Sequence, residues 1–294
     1  MIDVKRVTVA YLYFLLILSV VWMWVNIPNI SGVVENTSWP GLLGITVLYL
    51  CSHVFRMIRL GLLALDERDK VFQVIAAHTL TAFPSSFFPF KIGEILRLTA
   101  FFHVFEKRQK ALAVWLAERF GDVLVITLFI LGLYVLEVSV PPAMKNIFML
   151  FVVASVMGLL GILAVAKVFV YINRHLVLTS HSAHGLMLLR FSHALRSLEL
   201  NIVKSLEGRF SGFILLSVII WTIEILALSM FINLFALNKP DWVDLFAAGM
   251  LTSLSGSTSV VTDFGLYQSL ALVILAILSL IVVLLVNRLK ISKA

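Results

Sequence analysis

The stretch Phe83-Pro-Ser-Ser-Phe-Phe-Pro-Phe-Lys-Ile-Gly-Glu94 interrupts an apolar segment that covers residues 71–105. A helix needs about 20 apolar residues to cross the hydrocarbon layer, and each arm beside this stretch offers only about 13. Irregular backbone at membrane depth is tolerated only where it is buried in protein or lines a cavity. The stretch therefore predicts a re-entrant helical hairpin, which enters and leaves the membrane on the same side.

Apolar runs elsewhere in the chain are long enough to cross a membrane as single helices. Six such runs cover residues 7–26, 42–65, 111–136, 147–172, 212–236 and 266–286. A further apolar segment, residues 243–263, is broken by Ser253-Leu-Ser-Gly-Ser-Thr-Ser259 and predicts a second re-entrant hairpin. The predicted fold class is an all-α polytopic membrane protein with about six transmembrane helices and two hairpins, and residues 1–294 are expected to form a single integral membrane domain.

The composition supports this fold class. Of the 294 residues, 61% are apolar and 13% are charged, and the mean hydropathy is +1.04. A soluble domain has about 25% charged residues, so a soluble enzyme and a nucleic-acid-binding domain are excluded despite the net charge of +7. The single cysteine, Cys51, excludes a disulfide framework, and the histidine spacings match no compact metal motif. No metal, cofactor or nucleic-acid partner is expected.

The distribution of Lys and Arg predicts the topology. Fifteen of these residues lie in segments 1–6, 66–70, 106–110, 173–210 and 287–294, and two lie in segments 27–41, 137–146 and 237–242. Basic residues are enriched in cytoplasmic loops, so both termini are predicted to be cytoplasmic. The two hairpins must then enter from opposite sides, which is typical of transporters built as an inverted repeat.

Segment 173–210 is predicted to contain a basic amphipathic helix. Its apolar residues recur every three or four positions, with Arg190, Arg196 and Lys204 between them. Two interpretations remain open: the helix lies on an anionic leaflet, or it packs on the cytoplasmic end of the bundle. The apolar face consists of Leu188, Phe191, Leu195, Leu198, Ile202 and Leu206.

Charged side chains within or beside the apolar segments are the main candidates for function, because each is costly at membrane depth. Two interpretations are open: the charges line a polar cavity for a lipid headgroup or a coupling ion, or they form a buried ion-pair network that only holds the bundle together. The candidates are Arg56, Arg59, Glu94, Arg97, Glu118, Arg119, Asp122 and Glu224, with contacts from Ser255, Ser257, Asp263 and Gln268 in or after the second hairpin.

Spacing along the helices predicts some of the partners. Glu94 and Arg97 are three residues apart on one helical face, where they can pair with each other or face a substrate. Glu118 and Asp122 are four apart and repel each other, so they are expected to face a cation or to share a proton.

The remaining candidates are less constrained by spacing. Arg56 and Arg59, near the end of the second predicted span, are expected to reach the phosphate level of the membrane. Glu224 stands alone near the middle of its span.

Two motifs resemble those of a known family. The string Pro89-Phe-Lys-Ile-Gly93-Glu94-Ile-Leu-Arg97, followed by Glu118-Arg119-Phe-Gly-Asp122, resembles the P-x-x-x-G-E-x-x-R and E-R-x-x-D motifs of the lysylphosphatidylglycerol synthase transmembrane family. Arg56 and Arg59 match the basic pair that the family carries at the end of its second span. The family's C-terminal glutamate motif is altered here, since Asp263-Phe-Gly265-Leu-Tyr-Gln268 carries Gln at the glutamate position.

The resemblance implies a stand-alone member of the flippase domain, in the cytoplasmic membrane of a bacterium and without the aminoacyl-transferase domain. The expected function is the flipping of a polar-headgroup lipid: an anionic or aminoacylated phospholipid, or a polyprenyl-linked lipid. No catalytic residue is predicted. The alternatives are a membrane enzyme that acts on lipid-linked substrates, and a non-transporting scaffold for a lipid-modifying partner. A homo-oligomer is a further possibility.

Overall fold

A computed structural model describes most of the middle of the chain. It covers residues 38–87, 92–135, 149–158, 183–235 and 270–279, with isolated helical residues at 14, 17, 21, 160, 168, 170–172, 174, 175, 267 and 281. Most of the first predicted span lies outside the described residues. The second predicted hairpin also lies outside them, together with Ser255, Ser257, Asp263 and Gln268.

Every regular element in the described residues is a helix, so the all-α prediction is confirmed for this part of the chain. A short 3-10 helix at Leu65–Lys70 follows the first of them. The α-helices are α1 (Trp39–Leu63), α2 (Val71–Phe87), α3 (Ile92–Val104), α4 (Arg108–Val135), α5 (Met149–Gly158), α6 (Ala183–Leu206), α7 (Phe210–Phe235) and α8 (Leu270–Ser279).

Two of these helices are long and apolar enough to cross a membrane: α1, and α7 over Phe210–Leu234. At about 1.5 Å per residue, each exceeds the hydrocarbon thickness of about 30 Å. Helix α4 has 28 residues, but Glu118, Arg119 and Asp122 interrupt its apolar character. The number of spans, the direction of the hairpins and the side of the termini stay predictions.

The interrupted apolar segment, residues 71–105, contains two separate helices. Helix α2 has 17 residues and α3 has 13, so each falls short of about 30 Å. The prediction that helical structure stops at Phe83 is wrong, because α2 continues through Pro84 to Phe87. Proline removes one helical hydrogen bond, and membrane helices tolerate that loss. The re-entrant geometry stays a prediction.

The chain forms two compact units. The first unit consists of Met1–Met57, Ile75–Arg97 and Thr222–Ala294, and the second of Ile58–Val74 and Leu98–Trp221. Each unit is therefore assembled from segments that are distant in the sequence. The prediction of a single integral membrane domain stays a prediction.

In the first unit, α1 packs antiparallel against α7. A Cβ atom on Gly41 would lie 2.5 Å from Leu234, and one on Gly44 would lie 2.8 Å from Met230. Small residues allow this close approach of two membrane helices. Next to Gly44 in the sequence, Ile45 forms a small apolar core with Phe231. The side chains that pack against this core are Leu42, Met230, Tyr267 and Leu270.

In the second unit, a buried lysine joins three segments that are predicted to be cytoplasmic. Lys110 Nζ lies 2.5 Å from Asp66 Oδ2 and donates to Ser205 Oγ at 2.7 Å, and only 2% of its side chain is exposed. Ser197 Oγ donates to Gln109 Oε1 at 2.7 Å. These contacts are expected if segments 66–70, 106–110 and 173–210 share one membrane face.

Helix α6 lies within the predicted amphipathic segment and packs against α4. Among its described side chains the buried ones are Gly185, Ser192, Glu199, Ser205 and Leu206, and all of these except Ser205 recur every seventh position. Helix α6 therefore packs on protein along a stripe of mainly small and polar residues, while its position at the cytoplasmic end of the bundle stays a prediction. The predicted apolar face is only partly covered, since the Phe191 residue is 63% exposed.

Candidate functional site

The eight charged candidates form two clusters, one in each unit. The Arg56 cluster lies in the first unit, and the Arg59 cluster lies in the second. The Arg56 cluster is formed by Arg56, Glu224, Ser52, His53, His78, Arg97 and Glu94, and the Arg59 cluster by Arg59, Glu118, Asp122, Arg119, Ser217 and Trp221.

Arg59 is the centre of its cluster. Its Nη1 donates to Asp122 Oδ1 at 2.7 Å and to Ser217 Oγ at 2.9 Å, and its Nη2 lies 3.5 Å from Glu118 Oε1. The side chains of Arg59 and Glu118 are fully buried. The two carboxylates of α4 therefore face a cation, as their spacing predicts, and that cation is Arg59.

The surroundings of Arg59 hold it in place. The Phe213 ring centroid lies 5.8 Å from the guanidinium carbon, and the Phe213 side chain is itself fully buried. Gly121 leaves room for that ring, since a Cβ atom there would lie 2.4 Å from Phe213 Cζ. Trp221 Nε1 adds a hydrogen bond to Asp122 Oδ1 at 3.2 Å.

Arg119 completes the charge balance of the Arg59 cluster. Its Nη1 lies 3.5 Å from Asp122 Oδ2 and its Nη2 lies 3.8 Å from Glu118 Oε1, with 30% of the side chain exposed. Two arginines thus balance two carboxylates. The expectation that Arg59 reaches the membrane surface is wrong, because a buried guanidinium is held by the carboxylates of α4 instead.

The Arg56 cluster contains an ion pair between α1 and α7. Glu224 Oε1 accepts hydrogen bonds from Arg56 Nη2 at 2.7 Å, Arg56 Nε at 3.1 Å and Ser52 Oγ at 2.6 Å. Glu224, isolated in the sequence, is therefore paired in the structure. The Arg56 and Glu224 side chains are 13% and 20% exposed, in contrast to Arg59.

A second ion pair of this cluster lies on α3, where Arg97 Nη1 is 3.6 Å from Glu94 Oε1. This pairing was one of the two arrangements that the spacing predicts. The Arg97 guanidinium also contacts Nδ1 of His78, on α2. The Arg97 side chain is 4% exposed and that of Glu94 is 17% exposed.

Two histidines of the Arg56 cluster are not among the residues predicted from the sequence. His53 and His78 are 7% and 0% exposed, and their ring centroids lie 6.3 Å apart. The Tyr49 ring contacts His53 edge-on at 5.0 Å and faces Tyr267 at 6.5 Å. The sequence does carry one signal for His53: it stands with Ser52 shortly before Arg56 in a run that is otherwise apolar. Among the described residues, no group of three or more His, Cys, Asp or Glu is arranged to hold a metal ion.

The family comparison agrees with this arrangement of charges in a helical membrane protein. The protein-family model described as the lysylphosphatidylglycerol synthase TM region matches residues 8–261 of the 294. The chain belongs to this family. The resemblance seen in the motifs is thereby confirmed, and the chain is an integral membrane protein with a role connected to membrane lipids. No curated protein and no solved structure matches it significantly.

Proposed function

We propose that the protein flips a polar-headgroup phospholipid across the membrane, and that the Arg56 cluster binds the headgroup. The observation that carries the proposal is the Arg56–Glu224 ion pair, which joins two membrane helices and keeps part of both side chains exposed. Charges at this depth are costly and mark substrate or ion pathways in membrane proteins.

The chemistry of the pair matches that of a lipid headgroup. The guanidinium of Arg56 presents a planar fork of donors that suits a phosphate group. Glu224 offers a carboxylate to an ammonium group. A headgroup that carries both charges, such as an aminoacylated phospholipid, can exchange partners with the pair and leave no charge unpaired.

The second ion pair of the cluster supports the same interpretation. Arg97 and Glu94 repeat the combination of one guanidinium and one carboxylate, and Glu94 is also partly exposed. In this proposal the two pairs offer successive sites for the headgroup. Contacts from Ser255, Ser257, Asp263 and Gln268 belong to the same proposal.

The test is a headgroup-accessibility assay in proteoliposomes that contain a fluorescent phospholipid. We expect Arg56→Gln and Glu224→Gln to slow lipid exchange between leaflets at least about tenfold, because each removes one of the two charges that the proposal assigns to headgroup binding, and a tenfold change corresponds to about 1.4 kcal/mol. The matched control is Arg190→Gln, which removes an exposed charge on α6.

Two results would contradict the proposal. Exchange at the wild-type rate in both variants would exclude the Arg56 cluster as the headgroup site. A change in the mass of the recovered lipids would instead favour an enzyme that acts on lipid-linked substrates.

A further inference from the structure

His53 occupies a position in the Arg56 cluster that the ion pairs do not explain. It precedes Arg56 by three residues on α1, so the two side chains share one helical face. The His53 residue is 7% exposed, and its Nδ1 atom is buried without a hydrogen-bond partner in the described part of the chain. Buried polar atoms without partners are rare in native structures, and each calls for an explanation.

The missing partner indicates the charge of the ring. A protonated imidazole carries two N–H donors, whereas a neutral one carries a single donor and a nitrogen lone pair. A lone pair at Nδ1 of His53 leaves no donor unsatisfied there. The geometry therefore favours a neutral His53 with Nδ1 open to a proton.

His78, the neighbouring histidine, is not available in the same way. The Arg97 guanidinium contacts its Nδ1, and a guanidinium can only donate. Nδ1 of His78 therefore serves as an acceptor and its ring is neutral. Of the two histidines in the cluster, His53 is the one with a nitrogen left for a proton.

The groups around His53 determine what a proton there would do. On its own helix it faces Tyr49 and Arg56, and α2 contributes His78. Arg97 of α3 and Glu224 of α7 also act on it electrostatically. The groups around the ring thus include two cations, Arg56 and Arg97, and one carboxylate, Glu224.

We propose that His53 is a proton-binding site and that its protonation draws Glu224 away from Arg56. The two hydrogen bonds from Arg56 and the one from Ser52 converge on one oxygen, Oε1 of Glu224. A protonated His53 repels Arg56 and offers Glu224 a competing donor. The guanidinium of Arg56 is then released for an anionic group, so a proton and a phosphate enter the cluster together.

The effect on transport depends on the proposed function, but the proton site itself does not. The first measurement is therefore solid-state NMR of the full chain, labelled with ¹³C and ¹⁵N and reconstituted in lipid bilayers. We expect the His53 ring, assigned through its backbone neighbours, to change from neutral to protonated when the pH is lowered from about 8 to about 3, a range that extends below the pH 5–8 in which an unperturbed histidine titrates. An unchanged ring over that range would overturn the proposal, whatever the transport rate.

The second measurement is the pH dependence of lipid exchange in proteoliposomes. Above the titration point of His53, each unit of acidification raises its protonated fraction about tenfold, and we expect the wild-type rate to follow. His53→Gln should make the rate independent of pH. His103→Gln, on the exposed end of α3, is the matched control and should keep the wild-type profile.

The outcomes separate the two proposals. If His53→Gln or His53→Asn keeps the wild-type pH profile, His53 does not control the cluster. If the His53 ring titrates but lipid exchange equals that of protein-free vesicles, the transport function is wrong and the proton site stands. Thermal unfolding of both variants checks that they fold.

Discussion

Arg56 and Arg59 lie three residues apart on α1, and each has a guanidinium nitrogen 2.7 Å from a carboxylate oxygen. Their surroundings nevertheless differ. Arg59 is fully buried between Asp122 and Glu118, whereas Arg56 and its partner Glu224 are 13% and 20% exposed. The comparison teaches that burial and the number of partners, rather than the type of ion pair, separate a structural charge from a candidate binding site.

Under the proposed function, the two interpretations of the charges apply to different clusters. The Arg59 cluster matches a network that holds a bundle together, because its arginine is fully buried against two carboxylates and a phenyl ring. The Arg56 cluster has the exposure that a substrate needs, and it contains the histidine with an open nitrogen. Three substitutions test this division, in order of decreasing loss of stability.

The largest loss is expected for Arg59→Ala. It leaves Glu118 and Asp122 buried without their central cation, and breaking a buried ion pair from one side costs about 3–5 kcal/mol. Thermal unfolding of the purified protein in detergent, followed by tryptophan fluorescence, measures the loss. Combining Arg59→Met with Glu118→Gln should recover most of it, because the cluster then keeps the Arg119–Asp122 pair and no net charge. If the unfolding temperature of Arg59→Ala equals that of the wild type, the Arg59 cluster does not stabilise the fold.

A smaller loss is expected for Gly121→Ala. The new methyl group would lie 2.4 Å from Phe213 Cζ, and Phe213 is fully buried against Arg59. Overpacking of this kind costs about 1–3 kcal/mol.

The matched control for Gly121→Ala is Gly44→Ala in the first unit. There the new methyl group would meet the flexible end of Met230 at 2.8 Å, and we expect a loss below about 1 kcal/mol because methionine adapts readily. Equal losses in the two variants would mean that both units are packed with the same rigidity.

The smallest loss is expected for Arg56→Gln, at about 1 kcal/mol, because partly exposed ion pairs contribute little and Ser52 still binds Glu224. Lys204→Gln, which removes an exposed charge on α6, should stay within about 0.5 kcal/mol and sets the baseline. The same unfolding assay compares them. A loss as large as that of Arg59→Ala would make the Arg56 cluster structural as well.

Much of the architecture could be predicted because it depends on local properties of the chain. The length of an apolar run predicts a membrane helix, and α1 and α7 overlap most of the predicted segments 42–65 and 212–236, although each begins two or three residues earlier. The spacing of Glu118 and Asp122 predicts a cation facing them or a shared proton, since two carboxylates on one face repel each other, and the structure shows the cation, Arg59. Helix α2 passes its predicted end because one proline does not stop a membrane helix.

The partners of the charges could not be predicted, because each contact joins residues that are far apart in the sequence. Arg59 meets α4 after about 60 residues, and Arg56 meets α7 at a separation of 168 positions. His53 shares a helical face with Arg56, but its burial beside His78 depends on a contact between α1 and α2 that the sequence does not show. The buried face of α6 was likewise not predicted. Small residues such as Gly185 and Ser192 pack closely against other helices without giving a strong apolar pattern.

Hydropathy and short motifs identify a helical membrane protein of the lysylphosphatidylglycerol synthase TM region family, because both are properties of adjacent residues. Only the tertiary structure decided which charges belong together and which of them are fully buried. The physical reason is that the free energy of a charge in a membrane depends on its solvation and its partners. Packing between distant helices sets both.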